Sequence, residues 1–150
     1  MIRVQTEDFN QQREYDRLRE QSSIGAVVTF TGLVRDINQG EKVVSLTLEH
    51  YPLMTEKSLA QIVKQAKQRW NILACTLIHR VGELTLSEQI VFVGIATAHR
   101  QDAFAACEYI MDYLKTQAPF WKKECNSQGT SYWVDARESD SRALNKWSEK

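Results

Sequence analysis

Two lysines seven residues apart, Lys115 and Lys122, bracket a proline in the stretch Asp112-Tyr113-Leu114-Lys115-Thr116-Gln117-Ala118-Pro119-Phe120-Trp121-Lys122. Proline has no amide hydrogen and clashes with the preceding turn, so a helix running into Pro119 ends near Ala118. Lys115 then occupies a last helical turn, and Lys122 lies on the segment that follows. A chain that folds back between them can aim both ammonium groups into one pocket. Lysine suits anion binding and proton transfer, because it is a flexible cation whose pKa moves readily on burial. An isolated lysine is ordinarily a solvated surface group, so the weight falls on what surrounds the pair.

Further cations stand at the ends of predicted elements. Arg35 closes a strand next to a glycine-containing loop. His99-Arg100 falls where an apolar strand gives way to a helix, and the free amides and positive dipole end of a helix start favour a phosphate. Arg137 follows the last strand. Each alone reads as a solvated arginine or a hydrogen-bonded structural histidine; together they suit a pocket for an anionic small molecule. Other chemistries lack their residues. There is no GxxxxGK[ST] loop for nucleotide hydrolysis and no GxSxG element. His50, His79 and His99 lack metal-ligand spacing, so no metal site is expected. Glu49-His50 on a strand could form an acid/base pair, but His50 reads rather as a structural group satisfying a neighbouring backbone group. Cys75, Cys107 and Cys125 are odd in number with no CxxC spacing, which argues against a disulfide framework and a structural zinc. Cys75 and Cys107 lie in apolar patterns and read as core, Cys125 in a polar stretch.

The elements that must position these groups follow from periodicity. Residues 25–34 (GAVVTFTGLV) are β-branched and aromatic, and predict a strand. Residues 36–40 predict a loop. Val43 to His50 alternates, with Val44, Leu46 and Leu48 on one face. A helix from about Thr55 to Trp70 carries the stripe Leu59, Ile62, Val63, Ala66 and Trp70. Ala74 to Arg80 is a strand, and residues 81–84 a connection. Gln89 to Ala98, apolar on both faces, predicts a central strand covered on both sides. A helix from about Gln101 to Gln117 is expected to bury Phe104, Cys107, Met111 and Leu114. Phe120 to Glu124 and Ser131 to Ala136 predict a hairpin around Asn126-Ser127-Gln128-Gly129. Residues 7–22 hold a weakly periodic early helix. The tail from Glu138 is polar and expected to be loose, with Trp147 as a candidate pin. This order predicts an α+β fold with a mostly antiparallel sheet, helices on one face and a small β subdomain, in one domain over residues 1–150.

Composition bounds the partners. The 150 residues are 43% hydrophobic and 25% charged, an ordinary globular balance. Nineteen basic residues offset nineteen acidic ones, so there is no global attraction to nucleic acid or to an anionic membrane, and any anion site must be local. The longest apolar run, residues 90–98, is about half of a membrane span. The first residues contain no apolar signal core, and a cytoplasmic protein is expected.

Several collinear blocks together resemble the large, catalytic subunit of molybdopterin synthase along nearly the whole chain. They are residues 25–32 (GAVVTFTG), 48–57 (LEHYPLMTEK), 79–84 (HRVGEL), 98–100 (AHR), 113–122 (YLKTQAPFWK) and 133–139 (WVDARES). The resemblance implies a hammerhead-like α+β core. It implies conversion of cyclic pyranopterin monophosphate into molybdopterin by insertion of two dithiolene sulfurs. The sulfur would arrive as a thiocarboxylate on the C-terminal Gly-Gly of a small ubiquitin-like partner, so neither a cofactor nor a cysteine of this chain is required. The family's large subunits form a homodimer at the centre of a heterotetramer, and pocket residues can come from both copies. Carried over by position, Lys115 and Lys122 are the catalytic lysines. Arg35, His99, Arg100, Lys123, Glu124 and Arg137 fall at substrate-binding positions together with Leu33 and Val34. Leu33 departs from the basic residue the family often carries there. A non-catalytic scaffold that binds pterin or partner is the alternative.

Overall fold

The computed structural model describes residues 1–38, 40–134 and 138–148. In chain order its elements are β1 (Ile2–Gln5), α1 (Gln11–Leu18), β2 (Ala26–Leu33), β3 (Ile37–Asn38), β4 (Glu41–His50), α2 (Met54–Arg69), β5 (Ile72–Arg80), β6 (Gly82–Thr85), β7 (Gln89–Thr97), α3 (Arg100–Gln117), β8 (Phe120–Asn126), β9 (Ser131–Val134), α4 (Glu138–Ala143) and α5 (Asn145–Ser148). One sheet has the order β1-β5-β7-β2, antiparallel except for the parallel β1–β5 pair. The second is built on β4, which pairs with β3 and β6 along one side and with β8 on the other, β8 in turn carrying β9. The expected β subdomain is therefore present and larger than a hairpin.

The central strand is β7, as its apolar run predicts. Val91, Val93 and Ile95 face α2 and α3 together with Cys75 and Leu77 of β5. The two long helices share this face, as expected. The alternate side chains Ile78, Phe92 and Ala96 would be bare if all helices lay there. Instead α1 crosses that second face and buries Leu18, with Phe9 ahead of it. The close approach needs a glycine: a Cβ at Gly94 would press into Leu18 Cδ1 and come within 2.9 Å of Phe92 Cε2. Arg80 fastens the segment between β1 and α1. Its guanidinium, 6% exposed, donates to the Thr6 carbonyl at 3.1 and 2.9 Å and to the Gln89 carbonyl at 2.9 Å.

Several expectations are corrected. In β4 a register shift between Val43 and Ser45 turns Val43 inward, and Val44 is exposed while Leu46 and Leu48 are buried. Phe104 is 61% exposed, because the buried stripe of α3 is Ala103, Ala106, Cys107, Ile110 and Leu114, one position round the helix. Residues 82–85 are a strand pairing with β4, and Ile37–Asn38 is a short strand. The tail folds as α4 and α5. Trp147 pins it: its Nε1 donates to Asp112 Oδ2 at 2.7 Å and its ring meets Trp70 and Tyr109 edge-on. Arg69 stacks over all three rings. Among the described residues no helix is long and apolar enough to cross a membrane.

Candidate active site

The turn at Pro119 does what its chemistry predicts. Helix α3 ends at Gln117, Ala118 is extended, and β8 begins at Phe120. Lys115 thus sits in the last turn, where a cation is favoured by the helix dipole. Strand β8 runs antiparallel to β4 with Phe120 opposite His50, Lys122 opposite Leu48 and Glu124 opposite Leu46. Side chains alternate across a strand, so Phe120, Lys122 and Glu124 share the inner face with the buried Leu46 and Leu48. Trp121 and Lys123 project outward, and Lys123 Nζ lies 5.5 Å from the Trp133 ring centroid.

Between the two sheets and the end of α3 lies a cavity of about 470 Å³. Its apolar walls include Leu46, Leu48, Ile90, Val91, Leu114 and Phe120, and its charged groups are Arg35, Lys115, Lys122 and Asp140. A contiguous recess of about 180 Å³ shares Leu33, Arg35, Lys115, Lys122 and Asp140 and adds Val34, Asn38 and Glu124. Among the described residues, three cations therefore meet two carboxylates. Arg35 and Leu33 reach the cavity through a register shift between Gly32 and Leu33 of β2. Val34 beyond it turns inward and is anchored by its backbone to Glu88 and Ser87.

One lining residue escaped the sequence reading. His79 lies in an apolar strand, with no local spacing to mark it. It is 5% exposed, stacks on Phe120 at 3.9 Å between ring centroids, and its Nδ1 is 2.8 Å from the Arg80 carbonyl. That contact makes Nδ1 the donor, so the neutral ring carries its lone pair on Nε2. Burial, with the charges of Lys115, Lys122 and His50 adding to it, lowers its pKa to about 4. The wall between the lysines is thus kept uncharged. The ring of His50 meets a side chain rather than the backbone group expected, with its Nδ1 3.1 Å from Thr55 Oγ1.

The remaining predicted residues are elsewhere. His99 and Arg100 line a separate depression with Gly25, Ala98 and Gln101. Arg100 begins α3 and Lys115 lies fifteen residues along it, about 22 Å away at 1.5 Å per residue. One copy of the chain does not bring them to the lysines. Arg137 lies outside the described residues. Among the described residues no cluster of three or more His, Cys, Asp or Glu is placed to hold a metal ion.

Comparison with known proteins fits this geometry. The family model described as MoaE protein matches residues 4–117. A molybdopterin synthase catalytic subunit from Haemophilus influenzae is 57% identical over 146 residues, covering 97% of each chain. The structure of a molybdopterin biosynthesis MoaE protein from Burkholderia ambifaria superposes with a TM-score of 0.83 at 48% identity, covering 99% of this chain and 97% of that one. A protein–protein complex of subunits 1 and 2 of the molybdopterin-converting factor from Helicobacter pylori shares the fold, with a TM-score of 0.74 at 16% identity over 91% of each chain. From these matches over nearly its full length, the chain belongs to the MoaE family, the family of the molybdopterin synthase catalytic subunit.

Proposed function

We propose that the chain converts cyclic pyranopterin monophosphate into molybdopterin, inserting two dithiolene sulfurs carried as the C-terminal thiocarboxylate of a small ubiquitin-like partner. The observation that carries this reading is the meeting of Lys115, Lys122 and Arg35 on the walls of one cavity. Its volume of about 470 Å³ lies in the range of small-molecule sites. Family membership supports the reaction, and the Helicobacter pylori complex of two subunits supports a small partner.

The roles follow from charge and position. Arg35 binds the phosphate through charge-assisted bonds. Lys115 and Lys122 stabilise the oxyanion that develops when the thiocarboxylate is consumed, and move protons to and from the substrate. His99 and Arg100 join the phosphate site from a second copy, since their own copy holds them about 22 Å from Lys115. The two buried thiols of this chain are poor candidates for sulfur carrier. Burial pushes the Cys107 thiol up to about 12 and raises that of Cys75, so both stay protonated and unreactive.

The test is reconstitution of the purified chain with a thiocarboxylated small partner and cyclic pyranopterin monophosphate, quantifying dithiolene product. Lys115→Ala should lose about a hundred- to a thousandfold in rate, the effect of removing one group that stabilises transition-state charge. A scaffold would instead bind the partner tightly and give no product with either protein.

A further inference from the structure

His79 is a buried titratable group that the roles above leave unused. It lies on β5 and is 5% exposed, yet it lines the cavity that holds Lys115 and Lys122. Its ring lies nearly flat on that of Phe120, two residues before Lys122, with 18° between the planes. Its Nδ1 is held on the Arg80 carbonyl at 2.8 Å. That carbonyl belongs to a residue fastened on both sides. The Arg80 guanidinium donates to the Thr6 and Gln89 carbonyls, and the next amide, of Val81, donates to the Gln5 carbonyl at 2.9 Å. The fold therefore sets the tautomer, and the polar edge that the ring offers the cavity is an unprotonated Nε2. Burial first, and the charges of Lys115, Lys122 and His50 after it, keep the ring neutral. The result is a nitrogen base in a wall between two ammonium groups. The other ring beside Phe120, His50, does not line the cavity. Arginine and lysine cations donate and do not accept. The carboxylates stand apart, Glu124 in the side recess on Asn38 and Asp140 on α4.

We propose that His79 is the general base for the hydrolysis that frees each sulfur from the partner. This rests on the reaction proposed above and concerns the step that must follow sulfur attack. When the thiocarboxylate sulfur bonds to a substrate carbon, it is still bonded to the partner's acyl carbon, as a thioester. Water has to cleave that second bond. Its oxygen adds to the acyl carbon while one of its protons passes to His79 Nε2. The bond between acyl carbon and sulfur then breaks, and its electron pair leaves with the sulfur, which stays on the substrate as a thiolate. The partner departs as a carboxylate, its acid proton and the proton on Nε2 go to solvent, and nothing is oxidised or reduced. The lysines that flank the ring stabilise the oxyanion of the tetrahedral adduct. The negative charge of that adduct favours the imidazolium as the proton arrives, so a ring that rests neutral becomes a stronger base when the step needs one.

Acid quench of single turnovers of the full chain, with thiocarboxylated partner and cyclic pyranopterin monophosphate, reads attack and hydrolysis separately by intact mass. His79→Asn keeps an amide donor for the Arg80 carbonyl and has no nitrogen lone pair. It should form the partner–substrate adduct at close to the wild-type rate and break it down about a hundredfold or more slowly. A species with the summed mass should accumulate and be cleaved by hydroxylamine, as a thioester is and an amide is not. A merely structural role would slow both steps without that species. His79→Gln should behave in the same way and serves if the asparagine variant does not fold. No adduct in a folded variant, or an adduct in Asp140→Asn and not in the His79 variants, would overturn the assignment. Dithiolene from the wild-type chain tests the reaction independently: a wild-type chain that forms neither adduct nor dithiolene overturns the reaction and this step with it, whereas wild-type product with unimpaired hydrolysis in the variants overturns this step alone.

Discussion

Lys122→Ala and Lys123→Ala, neighbours in sequence, should behave as substitutions in different parts of the molecule. Lys122 pairs with Leu48 across β4 and β8 and lines the cavity. Lys123 pairs with Thr47 and Trp133, on the opposite face. Its ammonium rests over the Trp133 ring, itself 58% exposed. If Lys122 stabilises developing charge, its removal costs about 2.7–4 kcal/mol of barrier, a hundred- to a thousandfold in kcat. Removing Lys123 forfeits a solvent-facing cation–π contact of about 0.5–1 kcal/mol. That loss falls on stability, about 1–4 °C in Tm for a chain of this size, and should leave kcat within about twofold. The assay is dithiolene formation at saturating partner and substrate, with thermal unfolding of each variant alongside. A Lys123→Ala variant as impaired as Lys122→Ala would sink the strand-alternation assignment. So would Lys122→Ala retaining more than about a tenth of the wild-type rate.

Gly94→Ala should lower Tm by several degrees, since its methyl group meets Leu18 and Phe92, and overpacking costs about 1–3 kcal/mol; Leu18→Ala in the same chain should relieve the clash, and strictly additive effects in the double-mutant cycle would contradict that contact. His79 gives a pH signature with a definite sign. Its folded pKa of about 4 is below the ordinary histidine value of 6.5, so the unfolded chain takes up the proton first, and this contribution to stability, complete above pH 6.5, drains away towards pH 4 at up to about 1.4 kcal/mol per unit. Denaturant titrations at pH 7 and 5 should show a smaller acid loss in His79→Phe than in wild type; equal losses would place the histidine's proton elsewhere. Arg80→Lys should destabilise by about 1–3 kcal/mol, because a lysine does not reach the Thr6 and Gln89 carbonyls together, measurable as a lower denaturation midpoint with an unchanged m-value. Cys125→Ala should leave sulfur transfer intact, and loss of transfer in the folded variant would point to a persulfide carried by this chain.

Pro119 made the central feature of the site legible in sequence, because proline's effect on a helix is local and needs no knowledge of the rest of the fold. The same holds for the double-sided apolar run of β7 and the stripe of α2. Lys123 and Glu124 were harder, because which of the residues after Lys122 faces the cavity depends on strand phase. Phase cannot be read from a segment as short as β8 whose inner face, Phe120, Lys122 and Glu124, mixes aromatic and charged groups. Phe104 misled for a related reason. The first turns of the buried face of α3 are the small residues Ala103, Ala106 and Cys107, and Phe104 beside them outweighs them in any count of hydrophobicity. His79 carries no signal, since a histidine in an apolar strand looks the same whether it is core or wall. Strand β1, short and paired only through the distant β5, has no local pattern of its own.

The placement of His99 and Arg100 bears on how a neutral chain binds an anionic substrate. Among the described residues of one copy the cavity offers Arg35, Lys115 and Lys122 against Glu124 and Asp140, a formal excess of a single positive charge (three minus two). A cyclic phosphate is a diester with one negative charge, so that excess matches it with nothing to spare. Arg100, with His99 before it, stands at the start of α3, on the dipole end that favours anions, in a depression that one copy leaves apart from the lysines. Bringing that helix start of one copy to the lysines of another would strengthen the hold on the phosphate without adding a basic patch to the chain's surface, where it would attract unrelated polyanions. Arg100→Ala should then weaken binding of the phosphate-bearing substrate while leaving the affinity for free pterin unchanged. A loss of free-pterin binding in that variant would mean that Arg100 supports the pocket rather than the phosphate.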